Sequence, residues 1–351
     1  MNRFTTPLNV WYRKAHRDLP WRKTGDPYKI WISETILQQT RVAQGLPYYL
    51  RFIERFPDVK TLAGASEDEL MKYWEGLGYY SRARNLHSAA KTITDRHNGE
   101  FPESYEDIRK LKGIGDYTAA AVSSIAFGQP RAVVDGNVIR VLSRYFGIYT
   151  PAGSAQGKRE IQELAEALLP DGNTGLHNQA VMELGALICT PKNPVCSECP
   201  VRDGCFALSS GQTADLPVKT KTSKKTDRFF TYLVVQDKQK ILIGKRTNRD
   251  IWMNLYQFPL IETGSPYSDE EILSHPLTAA FMKMEGARLI SISREFRHIL
   301  THRRITARFA NISVAQLNDS LPHFIKVNTE EISNFAFPVL IRNYMLETKL
   351  I

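Results

Sequence analysis

The chain of 351 residues lacks any run near the roughly 18–20 apolar residues needed to cross a bilayer. Its opening stretch, MNRFTTPLNVWYRK, has no apolar core of signal-peptide length. The expectation is a cytoplasmic protein with no membrane partner. Cysteine is scarce: all four residues fall between Cys189 and Cys205. That excludes a disulfide framework spread over the chain, and such clustering in an intracellular protein favours a metal. No internal repeat or extended low-complexity segment is found, which excludes solenoid and fibrous architectures.

What is present argues for two packed domains. The hydrophobic fraction of 42% suffices for cores, and a net charge of +9 with a pI near 9.3 suits a polyanionic partner. Residues 1–210 carry apolar residues at helical spacing, as in Ile161…Leu164-Ala165…Leu168-Leu169, punctuated by Asp26-Pro27, Phe56-Pro57, Asn98-Gly99 and Gln129-Pro130. They predict a nearly all-helical domain. Residues 211–228 read as a linker, because LPVKTKTSKKTDR from Leu216 has five basic residues, one acid and no apolar period. From Phe229 the runs FFTYLVV, KILIGKR, YQFPLIE, ARLISISREF and ITARFANISV predict strands, and PVLIRNYMLE a helix opened by Pro338. Residues 229–351 are therefore expected to form an α+β domain.

Four places carry chemistry. Lys112-Gly113-Ile114-Gly115 separates two expected helices, Tyr105–Leu111 and Asp116–Phe127. Gly113 and Gly115 would allow a sharp turn that bares backbone N–H groups at a helix start, a phosphate grip. In Val134-Asp135-Gly136-Asn137, Asp135 reads either as an ordinary N-cap or as a carboxylate facing a cleft. In Ser33-Glu34-Thr35-Ile36-Leu37-Gln38-Gln39-Thr40, Ser33 is expected to cap a helix and Glu34 to sit in its first turn, followed by a polar run that could reach base edges. Finally, Cys189-x6-Cys196-x2-Cys199-x5-Cys205 can enclose one zinc or a [4Fe–4S] cluster; the closed set of four thiolates argues for a structural site. Trp21, Arg22 and Gly76-Leu77-Gly78-Tyr79-Tyr80 add aromatics that could stack on bases, although such residues commonly fill cores.

Taken together, the hairpin, Asp135 and the cysteine array resemble the helix-hairpin-helix DNA glycosylase superfamily, and the stretches around Glu34 and Asp135 resemble its adenine DNA glycosylase (MutY) family. The resemblance implies a multidomain chain: an all-α glycosylase domain with a [4Fe–4S] cluster, then a Nudix-like domain, seen in Gly244-Lys245-Arg246 and Tyr256-Gln257-Phe258-Pro259. It implies a monomer acting on double-stranded DNA, nucleoid-associated in a bacterium, removing adenine paired with 8-oxoguanine or guanine. Glu34 would protonate adenine and Asp135 stabilise the sugar cation, with Tyr117 and Asn137 flanking the sugar. Trp21, Arg22 and Gln179 would line the base pocket, Leu37 contact the substrate or DNA, Gln39 and Tyr79 fill the duplex gap, and Thr40 lie near the opposite base. The related pyrimidine-lesion glycosylase/lyases carry a nucleophilic Lys two residues after the hairpin's second Gly. Tyr117 stands there in this chain, which implies a hydrolytic enzyme without lyase action. No Arg-Glu-x-x-Glu-Glu pattern follows Pro259, only Glu262 and Glu270-Glu271, so the Nudix-like domain is expected to read the opposite base rather than hydrolyse nucleotides. Family members often show Phe-Ser-His in the reading loop; the corresponding stretch here is taken as Phe296-Arg297-His298.

Overall fold

The computed structural model describes residues 2–219, 225–317 and 323–351. Part of the expected linker, 220–224, lies outside the described residues. The chain forms two compact units: Met1–Gly64 with Arg84–Lys221, and Ala65–Ala83 with Thr222–Ile351. A stretch early in the chain thus folds with the C-terminal part, which the expected boundaries at 210 and 229 do not anticipate.

The first unit is helical. Its elements are α1 (Asn2–Ala15), α2 (Pro27–Leu37), α3 (Val42–Arg55), α4 (Val59–Gly64), the larger part of α6 (Ser81–Arg96), α7 (Tyr105–Lys110), α8 (Asp116–Phe127), α9 (Gly136–Phe146), α10 (Ala155–Ala167), α11 (Thr174–Leu187) and α12 (Phe206–Ser209). One core gathers Phe4, Leu8, Val138, Leu142, Ile161, Val181 and Leu184 from α1, α9, α10 and α11. Two helices are enclosed over their middle turns: α2, buried from Ile30 to Ile36, and the Ala-rich α8, buried from Thr118 to Ser124. They pack on each other, with Gln38 Nε2 donating to Thr118 Oγ1 at 3.2 Å.

The second unit holds α5 (Glu67–Trp74), the strands β1 (Thr226–Gln236), β2 (Lys240–Lys245), β3 (Tyr256–Gln257), β4 (Leu260–Thr263), β5 (Arg288–Ile292), β6 (Phe296–Ile299), β7 (Arg303–Ser313) and β8 (Ile325–Asn328), and the helices α13 (Asp269–Ser274), α14 (Pro276–Met282) and α15 (Val339–Glu347). The sheet is mixed: β1 runs parallel to β7 along its whole length and antiparallel to β2 and β4, and β7 also pairs with β5 and β6. Leu233, Val235, Leu242, Ile312 and Phe281 fill the core between sheet and helices.

Two readings are corrected here. The stretch from Leu216 is not uniformly exposed: Leu216 is buried, its carbonyl accepts Arg144 Nε at 3.0 Å, and Thr226–Arg228 already belong to β1. Phe296-Arg297-His298 is not a loop. It lies in β6, with Phe296 buried against Phe309 and Tyr344, Arg297 turned to solvent beside Glu295, and His298 packed on Trp252. The alternation of inward rings and an outward guanidinium is the period of a strand. The tip of the β6–β7 hairpin is Leu300-Thr301-His302.

Candidate active site

Helix α2 begins at Asp26, not Ser33. The Asp26 side chain accepts from Tyr28 N at 2.9 Å, and Pro27 takes the first helical position. Ser33 is interior and returns its hydroxyl to Ile30 O at 2.7 Å. Glu34 therefore belongs to the C-terminal half of the helix, where the dipole opposes an anion rather than favouring it. Burial raises its pKa to about 7, and the nearby Asp135 adds to the rise. The Tyr117 hydroxyl donates to Glu34 Oε2, and Arg22 lies close enough to pull in the opposite direction.

Asp135 is an N-cap and also faces the cavity. Its Oδ1 accepts the backbone N–H groups of Asn137 and Val138, both at 2.8 Å, and its Oδ2 accepts Asn137 Nδ2 at 2.7 Å. Burial pushes its pKa above the ordinary value while these donors hold it back. Asn137 is itself held: its Oδ1 accepts Arg140 Nη2 at 2.9 Å, and Arg140 Nε donates to Cys189 O at 2.6 Å. A Cβ on Gly185 would lie 2.6 Å from that of Asn137, so α11 and the start of α9 meet backbone to backbone.

Glu34, Asp135, Tyr117 and Asn137 line one cavity of about 550 Å³ together with Trp21, Arg22, Leu37, Thr40 and Gln179. Trp21 is buried edge-on against Tyr49, and Gln179 accepts the Tyr12 hydroxyl. Sequence reasoning missed Glu183, also in the wall. Burial would push its carboxyl up, but paired contacts from Arg22 (2.7 and 2.8 Å) and Arg17 (2.5 and 2.9 Å) bring it down to about 2. It fixes Arg22 beside Glu34. An ordinary Glu in α11 with partners some 160 residues away leaves no local signal. Gln39, Tyr79, Gly113 and Gly115 lie outside this wall. Gln39 follows α2 exposed, at a left-handed φ of 56°.

The hairpin has the expected build. Leu111 and Ile114 are buried, while Lys112, Gly113 and Gly115 are exposed. Gly113 has φ 81°, and a Cβ there would lie 2.4 Å from Asn85 Cβ. Gly115 caps α8 with no side-chain hydrogen bond over its first N–H groups.

The four cysteines surround a common void of about 30 Å³ walled by Ile188, Pro194 and Leu208. Arg144 Nη1 donates to Cys189 Sγ at 3.4 Å. Among the described residues no three His, Cys, Asp or Glu side chains converge tightly enough for a single ion. Four sulfurs around one void are a donor set able to hold a metal or an iron–sulfur cluster.

In the second unit, the Tyr79 hydroxyl lies 3.0 Å from Thr301 Oγ1 at the β6–β7 tip. Tyr79 is 46% exposed at a left-handed φ of 47°. The carboxylates beyond Pro259 are engaged elsewhere: Glu262 binds Arg228 twice, and Glu271 closes a capping box with Ser268.

Residues 32–171 match the HhH-GPD superfamily base excision DNA repair protein model, 189–205 the iron-sulfur binding domain of endonuclease III, and 231–347 the NUDIX domain. The cysteines therefore hold an iron–sulfur cluster. The chain is similar to the adenine DNA glycosylase of Buchnera aphidicola subsp. Schizaphis graminum, 38% identical over 256 residues, 73% of this chain and 74% of that one. The same enzyme of Buchnera aphidicola subsp. Baizongia pistaciae is 36% identical over 304 residues, 85% and 82% of the two. Among solved structures, a thermostable thymine-DNA glycosylase superposes with TM-score 0.55 at 31% identity, over 59% of this chain and 95% of that one. An endonuclease III–DNA complex follows at 0.51 and 23%, a likeness of fold. Identity at this level, sustained over most of both Buchnera enzymes, is kinship: the chain belongs to the adenine DNA glycosylase family, DNA N-glycosylases of base excision repair.

Proposed function

We propose that this enzyme, acting as a monomer, hydrolyses adenine from DNA where it lies opposite 8-oxoguanine, and opposite guanine, without a lyase step. The observation that carries the chemistry is the pair of unlike carboxylates in one cavity, Glu34 near neutral pKa and Asp135 in a cradle of donors. Adenine cannot be attacked inside the stack, so it is flipped into the cavity. Trp21, Arg22, Leu37 and Gln179 bound the base. Glu34, protonated, donates to adenine N7. The C1′–N9 bond breaks with its electron pair leaving on the base, and an oxocarbenium-like sugar remains. Asp135, ionised, lies against that cation until water adds at C1′ and gives up a proton. The roles match those of two-carboxylate glycosidases.

Tyr117 holds Glu34 by its hydroxyl where a lyase would need an amine, and a phenol forms no Schiff base. The hairpin at Gly113–Gly115 takes a DNA phosphate, and Gln39 and Tyr79, both left-handed and exposed, enter the gap left by the flipped base. The opposite base is read from the hairpin tip. Thr301, beside Tyr79, supplies there the hydroxyl that Arg297 lacks. Cys189, Cys196, Cys199 and Cys205 hold the [4Fe–4S] cluster, which braces the loop following α11.

The test is single-turnover adenine release from A·8-oxoguanine and A·G duplexes. The wild type should release from both, faster opposite 8-oxoguanine. Glu34→Gln should bind the duplex yet release adenine about 10²–10⁴-fold more slowly, the usual contribution of a general acid. Near-wild-type release by the Gln variant would remove Glu34 from its role, and an efficient borohydride-trapped DNA adduct would overturn the hydrolytic reading.

A further inference from the structure

The loop between β2 and β3, residues 246–255, contacts the strands that carry the Thr301 tip and the helix that precedes Tyr79. On one side, Asp250 Oδ1 accepts Arg303 Nη1 at 2.6 Å, and Arg303 directly follows the Leu300-Thr301-His302 tip. The same carboxylate takes Arg228 Nη2 at 2.6 Å and Arg246 Nη2 at 3.3 Å on Oδ2. Trp252 of this loop packs its ring on His298 of β6, centroids 5.9 Å apart. On the other side, Asn254 Nδ2 donates to Glu67 Oε1 at 2.5 Å, on the helix that leads to Tyr79. Two residues of the loop, Trp252 (φ 60°) and Asn254 (φ 68°), hold left-handed backbone without being glycine. Such backbone persists only where surrounding contacts impose it.

We infer that loop 246–255 is a brace that sets the Tyr79–Thr301 spacing, with Asp250 as its positioning residue for discrimination of the base opposite adenine. This rests on the reading proposed above. Of the three guanidiniums converging on Asp250, Arg228 comes from β1, Arg303 from β7 and Arg246 from the loop itself, so one carboxylate ties the loop to the tip strand and to its neighbour β1. Charge-assisted bonds of this kind are short and directional, as a spacing device needs.

The full-length chain would be compared with Asp250→Asn, Asp250→Glu and Arg303→Gln. Adenine release would be followed opposite 8-oxoguanine and opposite guanine. In Asp250→Asn and Arg303→Gln the ratio of the two rates should fall about tenfold, the size expected when a charge-assisted bond no longer orients a contact. Asp250→Glu should recover part of it. Equal slowing on both duplexes, or no change, would overturn the inference. Hydrogen–deuterium exchange without DNA separates this from the catalytic reading. Peptides covering 76–80 and 299–303 should exchange faster together in the variants while the remaining sheet is unchanged. Faster exchange confined to 246–255 would refute the brace even in an enzyme with no preference between bases. Arg303→Gln keeps the test available should Asp250→Asn fail to fold, because Arg303 is 38% exposed.

Discussion

Glu34 and Asp135 face the same cavity from opposite ends of two helices, and the difference gives them different surroundings. Glu34 stands in the closing half of α2, buried, with one hydroxyl donor. Asp135 stands at the opening of α9, buried, with two backbone N–H groups and an amide donating to it. Burial raises both pKa values. More hydrogen-bond donors offset that burial at Asp135 than at Glu34. The proposed roles, an acid and a stabilised anion, would then divide two like carboxylates by their surroundings alone.

The hardest blow to that contrast is Asp135→Asn. It keeps the shape of the cap but leaves no charge against the sugar cation, and single-turnover adenine release should fall about 10³-fold or more. Residual activity within tenfold of wild type would mean that the anion is dispensable.

The pH profile of the chemical step comes next. Glu34 must be protonated, so release should decline through pH about 7 and lose close to tenfold per pH unit beyond it. Asp135 must be ionised, so the acid side should also decline, below its own raised pKa. In Glu34→Gln the alkaline limb should vanish from whatever activity remains.

The same shift has a sign in stability. A carboxyl whose folded pKa is raised loses its proton later than in the unfolded chain. Stability is therefore withdrawn as pH rises from the ordinary Glu range to about 7 and stays withdrawn above. Glu34→Gln removes that penalty. Chemical denaturation should find the variant more stable than wild type by about 1–3 kcal/mol at pH 8, with the gain shrinking toward pH 5. A gain equal at both values would place the cause elsewhere.

A smaller effect sharpens the Asp135 side. Arg140 supports Asp135 by its charge and, through hydrogen bonds, by way of Asn137. Arg140→Met should slow release by about tenfold, since a lost charged hydrogen bond loosens but does not delete the cradle. Duplex binding should change little, as measured by fluorescence anisotropy.

Local chemistry explains what the sequence disclosed. Gly113 and Gly115 do what a tight turn before a helix requires, Asp135 caps the helix that follows it, and the cysteines enclose one site. The misses came where a stronger or a distant signal decided. Asp26-Pro27 outcompetes Ser33 as a helix start, which moved Glu34 from the favourable to the unfavourable end of the dipole. Phe296 and His298 alternate with Arg297 in strand fashion, whereas the motif match placed all three in a loop. Glu183 owes its place to Arg17 and Arg22, whose positions no window around it contains.

Segment 65–83 has a consequence for the chain as it is made. Asp68 binds Lys245, Tyr79 meets Thr301, and Glu75 accepts the backbone N–H of Phe337. Each partner is translated long after the residue it receives. At roughly 5–20 residues per second, Glu75 leaves the ribosome about 10–50 s before Phe337 exists to meet it. For that interval the nascent chain must carry this stretch without its final neighbours, and the residues proposed to judge the opposite base are among the last to take their places.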